Sequence, residues 1–158
     1  MLRLFLLLPL MLGCATTLKS QTVEFNLAME NTEQGDYYNS IDYNVPIVLE
    51  FYFNSCPACN ENSGKVKRLA SEYHGFFNQI IDVSIDCERS EYEHWIQKFG
   101  DSFPILNDCD RSLAESLGVR AYPTTIVLNA QHKVVYKTIG TWDEAKISKI
   151  KSYLKTSN

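Results

Sequence analysis

Pro46 to Phe53 reads PIVLEFYF, eight residues that would be apolar on both faces of a strand but for one acid, Glu50. A strand with no polar face is covered by other structure on both sides, as in a helix-flanked parallel sheet. The next six residues are NSCPAC. From Pro57 onward the apolar period changes: Val66, Leu69, Ala70 and Tyr73 recur at helical spacing, which predicts a helix from Pro57 to about His74. Proline suits the first position of that helix, where no backbone N–H is needed. The segment therefore demands a covered sheet and a strand-to-helix switch. It also puts a Cys-x-x-Cys, Cys56 and Cys59, at the carboxyl end of a central strand, where catalytic and ligand groups collect in open α/β sheets.

The rest of the chain supplies such a sheet. TVEF reads as a short edge strand, and NTEQGDYYNSIDYN as a polar stretch holding one helix that ends in a loop. IIDVSID is a second buried strand. SEYEHWIQKFG is a helix closed by Gly100, FPIL a short strand, and RSLAESLG a short helix closed by Gly118. PTTIVLN and KVVYKTIG are strands joined by the turn AQH, and WDEAKISKIKSYLK is a closing helix with Ile147, Ile150 and Leu154 inward. The expected class is α/β, a central mixed sheet flanked by helices in one domain. A net charge of −4 with scattered lysines excludes the basic stripe of a nucleic-acid binder. Phosphate-loop and dinucleotide fingerprints are absent, so no nucleotide or flavin cofactor is expected. A monomer is expected.

The start, MLRLFLLLPLMLGCATT, has an apolar run too short to span a bilayer, and reads as an export signal. LMLGC resembles the lipobox of bacterial lipoproteins. That implies residues 1–13 as a signal peptide, lipidation of Cys14, a tether over 14–21 and a domain over 22–158. An ordinary cleaved signal, with Cys14 lost, is the other reading. Of five cysteines, setting Cys14 aside leaves Cys56, Cys59, Cys87 and Cys109, an even set for an oxidising compartment. Cys87 follows DVSID and Cys109 follows PILND. Both thus stand past strand ends on the side of Cys56, and a second, structural disulfide is expected, with regulatory exchange left open. Zinc normally asks for another close pair or suitably spaced histidines, so no metal is expected.

A cysteine ahead of a helix meets exposed amides and the positive end of the helix dipole, which favour thiolate. Cys56 holds that place. Cys59, a turn on and more covered, suits the resolving thiol of dithiol exchange. Glu50 shares a strand face with Val48 and Tyr52. A carboxyl there either keeps its proton and shuttles it, or bonds to a lysine of a neighbouring helix.

VLEFYFNSCPAC resembles the active-site segment of the thioredoxin family, in which an acid six residues before the first cysteine lies behind the second. GVRAYPTTIVL resembles its other landmark, a cis-proline turn facing the cysteines. The resemblance runs from about Val45 to the end. It implies a thioredoxin-like fold, Glu50 as proton shuttle, a cis bond at Pro123, and substrate docking on Tyr122, Pro123 and Thr124. FPILNDCDRSLAESLGVRAYPTTIVLNAQHKVVYKTIG is most similar to the exported, membrane-tethered branch that includes reductases of cytochrome c maturation, with an extra strand–helix insert before the cis-proline. Ser55, Ala58 and Asn62 depart from that branch. The resemblance implies a protein-disulfide reductase of the bacterial cell envelope, lipid-anchored and facing the periplasm. It would act on exported disulfide-containing proteins and be fed by a membrane electron donor. Two other readings stay open: a copper-handling protein using the cysteine pair with His132, and a binding module in which Cys56–Cys59 is only a structural bridge.

Overall fold

The apolar segment forms the strand at the centre of the sheet. The computed structural model describes residues 21–30, 36–72, 79–100 and 102–155. Two short strands come first, β1 (Asn26–Ala28) and β2 (Tyr37–Asn39). They are followed by β3 (Ile47–Tyr52), α1 (Pro57–Glu72), β4 (Ile80–Ser84), α2 (Arg89–Phe99) and β5 (Ile105–Asn107). The chain continues through α3 (Ser112–Ser116), β6 (Thr124–Leu128), β7 (Val134–Ile139) and α4 (Glu144–Leu154). Five strands make one mixed sheet in the order β5-β4-β3-β6-β7. β3 pairs parallel with β4 and antiparallel with β6. β4 pairs parallel with β5, and β7 closes the other edge antiparallel to β6.

All six residues of β3 are buried, and their alternation splits the core in two. Val48 and Tyr52 pack with Val66 and Leu69 of α1, Trp95 and Phe99 of α2, and Ile150 and Leu154 of α4. Ile47, Leu49 and Phe51 pack on the opposite side with Phe25, Tyr38, Leu113 of α3 and Val119. A strand buried on both faces needs cover on both, and both sides supply it. The expected strand–helix pair ahead of Pro123 is β5 and α3. Gly118, past the end of α3, has φ +63°, a conformation glycine adopts freely. Gly100, after α2, stays right-handed at φ −66°.

The N-terminal expectations need correction. TVEF forms no strand: pairing begins at Asn26, and β1 and β2 make a separate two-stranded sheet. Phe25 is nonetheless buried, with its backbone tied to Ser40. No helix forms in the described part of NTEQGDYYNSIDYN beyond a single turn of 3-10 helix, Ser40–Asp42. Tyr37 is 67% exposed and Tyr38 1%, a period of two that suits a strand. Tyr38 is held by stacking on Phe25 and Tyr43, a long-range contact that local composition does not announce. Ile147 is only half-buried, whereas Ile150 and Leu154 are inside. Tyr73 and His74 lie outside the described residues, as do residues 1–20 with Cys14.

Leu49 has no exposed surface and sits amid the second core. Leu49→Ala should cost about 3 kcal/mol of unfolding free energy, the transfer loss plus the cavity left behind. A shift of that size in the urea midpoint at unchanged slope is the expected reading.

Candidate active site

The turn between β3 and α1 is built from its own backbone and one asparagine. The Cys56 N–H donates to the Phe53 carbonyl at 3.1 Å. The Asn60 side-chain amide donates to the carbonyls of Asn54 at 3.0 Å and Cys56 at 3.3 Å. The Asn54 N–H donates to Asp86 Oδ2 at 2.8 Å, which pins the loop to the segment after β4. Cys56 and Cys59 form a disulfide with Cα atoms 5.2 Å apart. The Cys59 N–H points at Cys56 Sγ, 3.1 Å away. Cys56 is 5% exposed and Cys59 1%, so the first sulfur is the more open of two well-covered ones. An amide of the first helical turn aimed at a sulfur favours negative charge there once the bridge is reduced.

The second landmark lies beside the first. Tyr122–Pro123 is a cis peptide bond. The half-buried Tyr122 ring meets Phe53 edge-on at 5.6 Å between centroids, joining the two loops. Thr124 is fully buried and its hydroxyl donates to the Ala121 carbonyl at 2.6 Å. That bond shapes the turn and occupies the hydroxyl. The β6–β7 turn is elsewhere. Leu128 pairs with Ile47, at the amino end of β3, so His132 stands at the opposite end of the sheet from Cys56. Its Nε2 is bonded to the Tyr43 carbonyl at 2.8 Å. The cysteine–histidine set of a copper site is not assembled. Among the described residues no group of three or more His, Cys, Asp or Glu is placed to hold a metal ion.

Beneath the first turn of α1 lies a polar layer. Glu50 is 1% exposed. Its Oε1 accepts from Asn62 Nδ2 and its Oε2 from Thr125 Oγ1, both at 2.5 Å. Asn62 Oδ1 accepts from the Trp142 N–H, and Thr125 Oγ1 from the Trp142 indole, both at 2.6 Å. Burial pushes the Glu50 carboxyl from 4.5 up to about 7, against the pull of Thr125, Asn62 and the more distant charge of Lys146. Lys146 Nζ is bonded to the carbonyls of Ile139 and Thr141, so Glu50 is held by neutral donors rather than by a lysine.

Three members of this layer escaped the sequence reading: Asn62, Trp142 and Asp82. Asp82 pairs in register with Glu50 on β4 and has no exposed surface. The acid inside IIDVSID carried the same signal as the acid inside PIVLEFYF. Asn62 and Ser63 are polar positions on the inward face of α1, which the apolar period alone passes over.

A second disulfide, Cys87–Cys109, joins the segments after β4 and β5, with S–S 2.03 Å and Cα atoms 4.8 Å apart. Cys87 is exposed and Cys109 half-buried. Cys87 directly follows Asp86, the residue that holds the Asn54 loop.

A mixed sheet with a Cys-x-x-Cys heading a helix, a cis-proline turn beside it and a buried acid below defines a thioredoxin-like protein. Residues 18–137 match the AhpC/TSA family, and the chain belongs to it. It is 26% identical over 109 residues to the thiol-disulfide oxidoreductase ResA of Halalkalibacterium halodurans, covering 69% of this chain and 62% of that protein. It is 25% identical over 114 residues to the thiol:disulfide interchange protein DsbE of Yersinia pestis, covering 68% and 58%. The match thus spans about three-fifths of the length of these curated relatives. The fold is shared with the exposed lipoprotein thioredoxin of Streptococcus pneumoniae, TM-score 0.68 at 21% identity over 85% of this chain and 99% of that one. It is shared also with a thiol-disulfide oxidoreductase from Bacteroides fragilis, TM-score 0.69 at 24% identity over 83% and 97%.

The raised Glu50 carboxyl has a consequence for stability. Between about pH 4.5 and 7 the folded chain keeps a proton that an unfolded chain has released. This group's contribution is therefore full below that window, is lost as pH rises through it, and is level above. In the oxidised protein Glu50→Gln should be more stable than wild type at pH 8 by on the order of 3 kcal/mol, and at pH 5 by about 1 kcal/mol or less. Urea unfolding at the two pH values measures it.

Proposed function

We propose that the chain is an exported thiol–disulfide oxidoreductase, with Cys56 as nucleophile, Cys59 as resolving thiol and Glu50 as proton shuttle. The observation that carries the reading is the Cys59 N–H aimed at Cys56 Sγ above a buried carboxyl that titrates near neutrality. In the reduced enzyme the Cys56 thiolate attacks a substrate disulfide and forms a mixed disulfide, expelling one substrate thiolate. Glu50 takes the proton of Cys59, whose thiolate then attacks Cys56 Sγ. The Cys56–Cys59 bridge forms and the second substrate thiolate leaves, both substrate sulfurs ending as thiols after protonation. The backbone at Tyr122 and Pro123 offers an extended substrate segment strand-like pairing, with affinity that is largely independent of sequence.

The direction we propose is reduction. One backbone amide donates to Cys56 Sγ, the dipeptide between the cysteines is Pro57–Ala58, and buried carboxyls lie below. This is modest stabilisation of a thiolate, and supports a potential toward the reducing end of the family's span of roughly −270 to −120 mV. Such a protein in an oxidising compartment needs a membrane electron donor. Cys14 is proposed as a lipid anchor that holds the domain at the envelope surface, facing the periplasm, with other exported disulfide proteins as substrates. Among the described residues no helix is long and apolar enough to cross a membrane. Cys87–Cys109 is proposed as structural.

Insulin reduction with dithiothreitol tests the activity: wild type should be active and Cys56→Ser silent. Cys59→Ser should accumulate mixed disulfides on Cys56 that identify the substrates. Silence of the wild-type domain would favour a binding module. Equilibration with glutathione should give a potential below about −200 mV, and a value on the scale of strong oxidants, above about −150 mV, would reverse the direction. Mass spectrometry of the exported protein should find a modified Cys14 as its first residue.

A further inference from the structure

Asp82 is a buried acid that the exchange cycle above does not use. It stands on β4 directly across from Glu50 on β3 in a parallel register, with 0% exposure. The same turn of α1 holds both acids: Asn62 donates to Glu50, and Ser63 Oγ reaches Asp82 Oδ2 at 3.4 Å. Trp95 of α2 donates its indole N–H to the same Oδ2 at 3.0 Å. Asp82 Oδ1 is fully buried with no hydrogen-bond partner among the described residues. An ionised carboxylate would leave that oxygen bare, a costly arrangement that a proton on the group relieves.

The surroundings supply little compensating charge. β3 adds Tyr52, and α1 adds Cys59, tied in its disulfide, and Lys65, which is bonded to Glu61 and the Trp142 carbonyl. α4 adds Lys146, engaged with two backbone carbonyls. β6 adds the Thr125 hydroxyl and α2 the Trp95 indole, neither of them charged. Asp86, beyond the end of β4, and Glu30, beyond β1, are further acids on this side. Burial first and the Glu50 charge second both push the Asp82 carboxyl up. Two neighbouring buried acids without a close cation behave as one titrating unit.

We infer that Glu50 and Asp82 form a single buried carboxyl pair carrying at most one negative charge through the working pH range, with Asp82 as the positioning residue that keeps a proton beneath Cys59 after Glu50 has ionised. The inference rests on the exchange chemistry proposed above, and deepens it. When a donor thiolate reduces the bridge, it bonds to Cys56 Sγ, the Cys56–Cys59 bond breaks, and Cys59 leaves with the electron pair. Below the Glu50 midpoint Glu50 itself protonates Cys59. Above it, the proton comes from Asp82 through Glu50, and Asp82 is later reprotonated from water. The pair thus extends proton supply to a pH at which one carboxyl alone would have none to give.

Two measurements test this. Carboxyl carbon NMR of the oxidised full chain reads the pair without any turnover. Asp82 should remain protonated at a pH where Glu50 has titrated, and Glu50→Gln should lower the Asp82 midpoint by about one pH unit or more, because the neighbouring charge is gone. An Asp82 ionised below pH 5, or one unmoved by Glu50→Gln, overturns the pair. Stopped-flow reduction of the bridge by dithiothreitol, expressed per dithiothreitol thiolate, reads its use. The ratio of Asp82→Asn to wild type should fall roughly fivefold or more between pH 6 and pH 8.5, a fraction of what positioned proton transfer supplies. A ratio constant across pH would assign Asp82 a structural role and overturn the relay. If Asp82→Asn does not fold, the NMR result on Glu50→Gln decides alone. A wild-type protein that shows the NMR coupling but reduces no insulin sinks the enzyme reading and leaves the pair standing.

Discussion

The Glu50 carboxyl is the knot on which this architecture turns. Its two oxygens are held by Asn62 of α1 and Thr125 of β6. Trp142 closes the network from the β7–α4 connection, giving its backbone N–H to Asn62 and its indole to Thr125. One buried acid thereby ties together the central strand, the helix that carries the cysteines, the strand that leaves the cis-proline turn, and the segment leading into the last helix. Each of these polar groups is satisfied by another, which is the condition for burying them without a large penalty. The carboxyl itself stays expensive to ionise there, and its pKa near 7 records that expense.

This arrangement exchanges stability for chemistry. An apolar residue at position 50 would suit a fully buried strand better than a glutamate does. In the function proposed above, the carboxyl raised to about 7 supplies the proton of the exchange, while the Cys56 sulfur faces a helix amide. The register of the sheet does the positioning. Phe51 pairs with Thr124, so the end of β3 that leads to Cys56 also faces Pro123. The cysteine loop and the proline turn then meet through Phe53 and Tyr122. Asp86 holds the loop from the β4 side, and the next residue, Cys87, is bridged to Cys109 after β5.

Much of this was legible from residues alone. The twofold burial of PIVLEFYF, the strand-to-helix switch at Pro57 and the alternation that sends Glu50 to the face of Val48 and Tyr52 all follow from local periodicity, which the backbone geometry of strands and helices imposes directly. The strands and helices from Pro46 onward came out close to their expected places for that reason. The failures lie where a segment is too short to have a period. TVEF has the composition of a strand but pairing starts only at Asn26, and the polar stretch after Glu30 has the composition of a helix but its described part forms β2 and one 3-10 turn, because three-residue strands are stabilised by what they touch. Tyr38, sandwiched between Phe25 and Tyr43, is such a case.

The sequence by itself determined the class of sheet, the position of the cysteine pair at the head of a helix, and a lone acid in the middle of a buried strand. Only the tertiary structure decided what that acid meets. It gave the acid Asn62 and Thr125 as partners rather than a lysine, brought Trp142 across from a loop some ninety positions along (Glu50 to Trp142), and set Asp82 alongside as a second buried carboxyl. It also turned Thr124 inward and sent His132 to the far end of the sheet. The reason is physical. Periodicity tells which side of an element is buried, whereas the partner a buried polar atom finds depends on strand order and register, which are settled by the packing of the whole chain.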